Sequence, residues 1–478
     1  MVACSPTSTH ITHASPKRYD DVRPRNLTNP LMRIPHRAFD VFTRAAALQR
    51  QRLTVVCKEY QKPTRSTTSR DQRWNWWFTL PLSPLPNRKT LRSEIVPGSI
   101  WSFEQLQGTL AVLVNIRMTV VALKGGGLWV YGPIAPTKEC VRLLRELEQK
   151  YGKVKYIVLG TYAVEHKVYL GAFARQCRDA QVWVAPFQWS WPVNLPIGYL
   201  GLFPRKANII PDDDAIMPWS DEFEHVILGP INIGLGPFVE VAFNHKPSRS
   251  LIVTESILRV PKAPPAIAQV DPYPLLYHAR SRYSEPLVDT PEERARGWAK
   301  TVLFAFYLRP VPVDLVKTIP TFQNWFKSEK FPAFEGFFPF EWPEDKWRAS
   351  FGRLSGRLLV PPILENFILN RGPNKALDWA DKVGSLKFNK IIPAHFEAPI
   401  SANPREFRSA FEFLEDEYLA GSKSKVKSQF NSVLSAMTVV WARKDTRLPE
   451  EDMIYLRDID NFFVQNNVSP PRGKLSRK

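Results

Sequence analysis

Runs of apolar residues and their spacing predict a layered α/β domain in the middle of the chain. MTVVAL, the glycines at 125–127 and LWVYGPIAP have the chemistry of a strand, a turn and a second strand, because glycine adopts the positive φ of hairpin turns. Thr137 is placed to cap a helix that ends before Gly152, and within it Val141, Leu144 and Leu147 share one face. A β-hairpin followed by an amphipathic helix is therefore expected.

Strand and helix patterns continue to alternate after Gly152. VKYIVLG at 154–160 predicts a buried strand, FARQC through Arg178 a short helix, AQVWVAP at 180–186 another strand, and SLIVTESI at 250–257 a further apolar strand. FNKIIPAHF continues the pattern near residue 390. This order is typical of a layered α/β domain, which we expect to span residues 97–403.

Residues 262–373 differ in character and predict an insertion in that domain. They contain PKAPPA, DPYPLL, a helix from Thr290 through Leu308 and FPAFEGFFPFEWPEDKW. Because proline interrupts these aromatic segments too often for a regular sheet, we expect the insertion to pack on one edge of the core.

The end of the chain is predicted to be helical. Pro404 suits the first turn of a helix in which Phe407, Phe411, Leu414 and Tyr418 share a face. A second helix is expected from 426 to 444 within a helical region spanning 404–465. VSPPRGKLSRK then predicts a disordered tail over 466–478.

Charge is concentrated before the folded region. Residues 1–92 hold 17 Lys and Arg against 5 Asp and Glu, out of a formal net charge of +19 for the chain. Residues 1–72 are basic, rich in Ser, Thr and Pro and without an apolar core, which predicts a plastid transit peptide and a chloroplast location. A disordered basic tail on a cytosolic protein is the alternative. Residues 73–96 read as a Trp- and Pro-rich linker.

Composition also argues against several classes of protein. The excess charge lies outside the body, where no nucleic-acid signature occurs, so no nucleic-acid partner is expected. No apolar run reaches the roughly 18 residues of a membrane span, although WNWWF at 74–78 leaves a peripheral membrane contact open. Cys140 and Cys177 stand alone, so neither a disulfide framework nor a cysteine zinc site is indicated.

Three histidines stand where a predicted strand begins or ends. They are His166 in TYAVEH, His245 in VEVAFNH and His395 in IIPAH. Side chains at the ends of sheet strands converge on one rim of an α/β layer, where sites are built. These three residues are therefore the candidates for chemistry.

At these residues the chain resembles the metallo-β-lactamase fold hydrolases. Their hallmark is a strand followed by His-x-His-x-Asp-His, then a third histidine, a bridging aspartate and a last histidine. Aligned on His166, this motif places Thr161 and Ala163 on its first two histidines and Glu165 on its aspartate. The remaining positions of the motif fall on His245, Glu255 and His395.

A closer resemblance is to the family catalogued as domain of unknown function 4336, of plants, algae and cyanobacteria. It is carried by GGLWVYGPIAP, YAVEHK, AQVWVAPFQWSWPVNLP, SRSLIVTESI and IIPAHFEAPI. The resemblance implies an αββα sandwich, in the α/β (α+β) class, with the aromatic and Pro-rich insertion and the C-terminal helices added. It assigns no reaction.

The resemblance implies a reduced metal site. Thr161 and Ala163 cannot replace imidazoles, so the first metal position of the superfamily keeps only His245. The second keeps Glu165, His166 and His395, with Glu255 as bridge or catalytic base. Two imidazoles and one or two carboxylates suit one Zn, Mn or Fe ion with positions open for water.

Two functions stay open at this point. The first is non-catalytic binding of a protein or small-molecule partner, with Glu165 and His166 forming an ordinary buried pair in a metal-free vestige. The alternative is a mononuclear metal-dependent hydrolase or oxidoreductase that uses Glu165, His166, Glu255 and His395.

Overall fold

A computed structural model describes most of the chain after residue 69. All of these residues lie in one compact unit, Cys57–Lys478. The described residues are 70–74, 82–83, 87–109, 112–189, 207–234, 236–282, 284–315, 338–343, 346–415 and 448–476.

Eight strands form the first of two mixed sheets. In the order of hydrogen bonding they run β1-β3-β4-β5-β6-β7-β8, and β2 pairs with β3 outside this path. The strands are β1 (Leu82–Ser83), β2 (Leu91–Val96), β3 (Ile100–Thr109), β4 (Val112–Ala122), β5 (Leu128–Tyr131), β6 (Val154–Leu159), β7 (Gln181–Val184) and β8 (Ala207–Ile209).

Five strands form the second sheet, in the order β17-β16-β11-β10-β9. Three of its four pairings are antiparallel, and the pairing between β11 and β16 is parallel. The strands are β9 (Phe223–Asn232), β10 (Pro237–His245), β11 (Ser250–Ile252), β16 (Lys390–Ile392) and β17 (Ile400–Ser401).

The two sheets pack face to face around one buried cluster. Side chains alternate along β5, so that Trp129 and Tyr131 point toward the second sheet while Leu128 and Val130 point away from it. Phe243 of β10 packs edge-to-face on Trp129. The region between the sheets is therefore a continuous apolar core.

A helical layer covers the outer face of each sheet, which makes the order of layers α-β-β-α. Helices α1 (Lys138–Tyr151) and α2 (Val164–Ala174) bury their apolar residues against the first sheet. Helices α7 (Pro362–Phe367), α8 (Pro373–Gly384) and α9 (Pro404–Ser409) do the same against the second sheet. The predicted αββα fold is confirmed by these layers.

The insertion lies against the extended ends of β3 and β4. Leu106 and Leu113 of these strands share a buried cluster with Trp298 and Phe306 of the insertion. The short strands β12 (Leu258–Arg259) and β15 (Leu358–Leu359) pair at its two ends, and β13 (Asp314–Leu315) pairs with β14 (Phe340–Glu341) inside it. Its helices are α3 (Ala266–Val270), α4 (Tyr273–Ala279), α5 (Pro291–Tyr307) and α6 (Lys346–Leu354).

The predicted bounds of helices and strands agree best with the structure where a turn or capping residue marks the end of the element. The predicted hairpin is β4 and β5, and Thr137 caps α1, which ends before Gly152. Thr290 caps α5 in the same way. The helix predicted from Phe173 to Arg178 begins earlier than expected, since α2 spans Val164–Ala174.

Two boundary predictions differ from the structure. Residues Leu91–Val96, expected in a linker, form β2 and pair with β3. Residues 466–476, expected to be disordered, follow α10 (Glu450–Gln465) and bond to the body, since Ser469 Oγ donates to the Ile233 carbonyl at 2.8 Å. Arg371 adds a hydrogen bond from Nε to the Pro470 carbonyl at 3.1 Å. The tail is thus held by polar contacts that its composition does not reveal.

Other predictions fall outside the described residues. These are the leader before Arg70, most of WNWWF, the end of AQVWVAPFQWSWPVNLP from residue 190 and the helix expected from 426 to 444. No helix within the described ranges is both long enough and apolar enough to cross a membrane.

Candidate metal centre

Three of the predicted site residues meet at one rim of the two sheets. His166, Glu255 and His395 each offer one ligand atom, and these atoms all lie within 4.8 Å of one another. His166 Nε2 lies 3.1 Å from His395 Nε2 and 3.4 Å from a carboxylate oxygen, Oε1, of Glu255. Residues from three distant parts of the chain therefore form one cluster.

The register of the second sheet brings Glu255 beside His395. Ile252 at the end of β11 pairs with Ile392 at the end of β16, and the two strands are parallel. Glu255 and His395 each stand three residues beyond that pair, and Ala394 N donates to the Thr254 carbonyl at 3.1 Å. The carboxyl ends of parallel strands thus deliver both side chains to the same edge.

His166 reaches this edge from the first sheet. It lies in the first turn of α2, after a short loop that follows β6. Two backbone hydrogen bonds tie this loop to β10 of the second sheet, from Tyr162 N to Val239 O at 3.2 Å and from Val241 N to Gly160 O at 2.7 Å. The two sheets are therefore joined directly beside the cluster.

The tautomer of His395 follows from its second nitrogen. His395 Nδ1 lies 2.9 Å from the carbonyl oxygen of Asn115, which can only accept, so Nδ1 carries the proton. Its Nε2 therefore presents a lone pair toward His166 and Glu255. Orientation of a ligating histidine by a carbonyl on its other nitrogen is the usual arrangement in metal sites.

Residues of β4 also hold the loop that carries His395. Asn115 pairs with the backbone of Phe396 through both ends of its amide, accepting from N at 2.9 Å and donating to O at 3.0 Å. Arg117 donates to the carbonyls of Pro393 and Phe396 and forms an ion pair with Glu104. Phe396 itself has a φ of 58°, a conformation that needs such support.

The spacing of the ligand atoms fits a small metal ion. Tetrahedral coordination at about 2.1 Å places two ligand atoms about 3.4 Å apart. At the cluster, His166 Nε2 lies 3.1 Å from His395 Nε2 and 3.4 Å from Glu255 Oε1. In addition, Glu255 Oε1 is buried and has no hydrogen-bond partner among the residues that the structure describes, as expected of an oxygen that binds a cation. The donor set and these two distances therefore fit one ion.

Burial sets the protonation of the two histidines. It lowers the pKa of both rings, and the positive charge that a protonated His166 would carry also lowers the pKa of His395. Both imidazoles are therefore neutral at pH 7, which is the form that binds a metal.

Glu165 stands beside the cluster rather than among its three ligand atoms. Its carboxyl group is hydrogen-bonded to Glu255, and burial, followed by the charge of Glu255, raises its pKa. Burial also raises the pKa of Glu255. Two carboxyl groups in this arrangement share a proton near neutral pH, because both cannot ionise cheaply in a buried site.

His245 does not join the cluster, whereas the sequence predicted it on the same rim as His166 and His395. β10 runs antiparallel to β11, so His245 pairs with Ser250 at the beginning of β11. Glu255 lies five residues further along, or about 16 Å at the usual rise of a strand. The His245 Nδ1 atom instead lies 2.7 Å from Ser248 Oγ, and its ring contacts Phe223.

Thr161 and Ala163, aligned with the first two histidines of the superfamily motif, take local roles. Thr161 Oγ1 accepts a hydrogen bond from Ala163 N at 3.1 Å, and Ala163 precedes the first turn of α2. The Thr161 side chain and the Ala163 backbone therefore stabilise the loop that leads to His166.

Two functional residues were not predicted from the sequence. Asn115 sits in a strand and orients His395 through its backbone and side chain. Glu240 is fully buried in β10 and bonds to the turn that carries Glu255. The one available signal for Glu240 is a carboxylate inside the apolar run FVEVAF.

The chain matches a family described as a domain of unknown function. The match to the model of that family, DUF4336, covers residues 97–413, about two thirds of the chain. It includes every residue of the cluster. No curated protein matches the chain.

Solved structures with a metallo-β-lactamase fold align with the chain at low identity. A metallo-β-lactamase from Pontibacter korlensis is 12% identical, with a TM-score of 0.27 over 36% of this chain and 73% of that protein. The DIM-1 metallo-β-lactamase is 11% identical, with a TM-score of 0.32 over 69% of this chain and 99% of that protein. A flavo di-iron protein variant from Thermotoga maritima is 10% identical, with a TM-score of 0.35 over 68% of this chain and 62% of that protein.

Proposed function

The chain belongs to the domain of unknown function family DUF4336, and on that premise we propose that it binds one divalent transition-metal ion and acts as a mononuclear metal-dependent hydrolase. His166, Glu255 and His395 would hold the ion. Zn, Mn and Fe all accept two imidazoles and one carboxylate.

One observation carries this proposal, the convergence of three ligand atoms within 4.8 Å of one another. No local pattern brings together residues that are 229 positions apart, as His166 and His395 are. The carbonyl that fixes the His395 tautomer supports the same use of the cluster, as does the Glu255 oxygen that has no hydrogen-bond partner within the described ranges.

A metal ion at this position supplies Lewis-acid chemistry, since it lowers the pKa of bound water toward neutrality. The chain supplies the remaining functions. Glu165, which is hydrogen-bonded to Glu255 and lies outside the ligand set, is the carboxylate placed to accept a proton. His166 is 0% exposed, whereas Glu255 is partly exposed, so solvent would reach the cluster from the side of Glu255.

A second candidate function is non-catalytic binding of a partner or small molecule at the same rim. It is favoured by the direct hydrogen-bond distance of 3.1 Å between the His166 and His395 rings. Together with the bond between Glu165 and Glu255, that contact links the four side chains in two pairs without a metal.

Metal analysis of the full chain separates the two candidates. Protein purified without chelator and then titrated with Zn²⁺, Mn²⁺ or Co²⁺ should bind about one ion per chain and should hydrolyse members of a panel of chromogenic esters, thioesters and phosphodiesters. Loss of hydrolysis on chelation and its return on adding metal would support the hydrolase. Absence of binding at millimolar metal would contradict it and leave the non-catalytic function.

Chloroplast location is also part of the proposal. It is supported by the basic composition of residues 1–72, with Ser, Thr and Pro and few acids. A reporter fused to these residues should enter plastids, and a reporter that stays in the cytosol would contradict this part alone.

A further inference from the structure

Glu240 has an unusual environment for a carboxylate. It lies in the middle of β10 and its side chain is 0% exposed. Four donors reach its two oxygens, and all four are neutral groups of the segment 254–256. They are Thr254 N at 2.8 Å, Glu255 N at 3.1 Å, Ser256 N at 3.0 Å and Ser256 Oγ at 2.8 Å.

Three of these donors are consecutive backbone N–H groups. Successive N–H groups that point to one anion form a nest, which fixes the local backbone conformation. Here the nest is the turn that follows β11 and contains Glu255. The Glu240 carboxylate therefore occupies the anion position of the turn from which the Glu255 side chain projects.

The backbone around Glu240 holds the other half of the cluster. Glu240 forms an isolated antiparallel bridge with Thr161, and its neighbours Val239 and Val241 bond to Tyr162 and Gly160. Those residues lead directly into α2, whose first turn carries His166. One residue of β10 thus contacts both segments that deliver ligands, one through its side chain and the other through its backbone.

We infer that Glu240 is a positioning residue for the metal centre, holding Glu255 at the distance from His166 and His395 that a single ion requires. This inference rests on the proposed function. Glu240 touches no ligand side chain in this role, because it acts through the backbone of the 254–256 turn.

Substitution of Glu240 tests the inference through metal affinity. Glu240→Gln keeps the size of the side chain but turns an NH₂ group toward N–H donors, so the turn should rearrange. Loss of a supporting residue of this kind costs about 10- to 100-fold in metal affinity. We expect that loss for Co²⁺ binding to the full chain, with a changed Co²⁺ absorption spectrum, and a smaller loss for Glu240→Asp, which keeps the charge.

Glu148→Gln is the matched control. Glu148 is also a buried carboxylate that accepts from a backbone N–H, that of Val154 at 3.0 Å, but it lies at the end of α1 and bonds to Arg145. Its replacement should lower stability without changing the Co²⁺ affinity or spectrum. Equal affinity in Glu240→Gln and wild type, with both folded, would overturn the inference.

Hydrogen–deuterium exchange of the metal-free chain gives a second, independent measurement. Amides of residues 254–256 should exchange faster in Glu240→Gln and Glu240→Asp than in wild type, and at the wild-type rate in Glu148→Gln. Unchanged protection of these amides would overturn the inference even if the variants bound metal poorly. If wild type itself bound no metal, the proposed function would fail, while faster exchange would still show that Glu240 holds the turn.

Discussion

His166 Nε2 lies 3.1 Å from His395 Nε2, although 229 positions separate the two residues. The first nitrogen is delivered by a helix on the first sheet and the second by a loop of the second sheet. Their meeting therefore depends on the whole αββα arrangement, and a side chain that disturbs either sheet at this rim should disturb both.

The ranking of single substitutions follows from this geometry. His166→Ala or His395→Ala should weaken Zn²⁺ or Co²⁺ binding by at least about 100-fold, because each removes one of three protein ligands. His245→Gln should leave affinity unchanged, since His245 lies at the far end of β10 and serves as the matched control. Isothermal titration of the folded variants measures the difference. A large loss in His245→Gln with none in His395→Ala would contradict the assignment.

A second prediction concerns the amide that anchors the His395 loop. Asn115→Ala removes both hydrogen bonds to the Phe396 backbone and leaves a buried N–H and C=O unpaired. We expect a loss of about 2 kcal/mol in the free energy of unfolding, the usual cost of such orphaned groups. Denaturant titration measures it.

Asn208→Ala is the control for this loss. Asn208 makes one partly buried bond, from Nδ2 to the Val182 carbonyl at 3.2 Å, at the edge of the first sheet. Its removal should cost less than about 1 kcal/mol. If the two variants lost equal stability, the anchoring role of Asn115 would be wrong.

Much of the site could be predicted because strand ends carry a sequence signal. His166 and His395 follow apolar runs that read as strands, and Glu255 closes the run SLIVTE. That signal does not indicate at which rim of the sheet a given strand ends. His245 ends an equally clear strand, but the β9–β10–β11 meander turns it toward the opposite rim.

The supporting residues could not be predicted for a different reason. Asn115 and Glu240 act through backbone groups that are 281 and 15 positions away, and such pairings depend on register rather than on residue type. Strand β2 was missed because its sequence, LRSEIV, mixes charged and apolar residues without a clear period of two. Its pairing with β3 comes from the long hairpin that follows it along the chain.

The last prediction concerns the stability of the chain in acid and the same misassigned histidine. Burial, and then the charge of Lys124, lower the pKa of His245 to about 4. In the unfolded chain the pKa of a histidine is about 6.5. The unfolded state therefore binds more protons than the folded state between these values, and stability falls as pH falls through that window. The part of the free energy of unfolding that depends on neutral His245 is fully present above about pH 6.5 and is lost progressively toward pH 4. It reaches at most about 3 kcal/mol.

His245→Gln should remove this dependence, because glutamine does not titrate and can still bond to Ser248 Oγ. The difference in free energy of unfolding between pH 7 and pH 4.5 should be smaller in the variant than in wild type by about 2 kcal/mol, measured by urea titration at both values. Lys246→Gln is the matched control, since Lys246 is the next residue along the chain and is exposed. An acid dependence that is the same in all three proteins would mean that His245 is protonated as readily in the fold as in the unfolded chain. Its burial beside Phe223 and Ser248 argues for the opposite result, because the Glu222 carboxyl oxygen that faces Nε2 lies 3.7 Å away, beyond hydrogen-bond reach, and so compensates little for the burial of a charged ring.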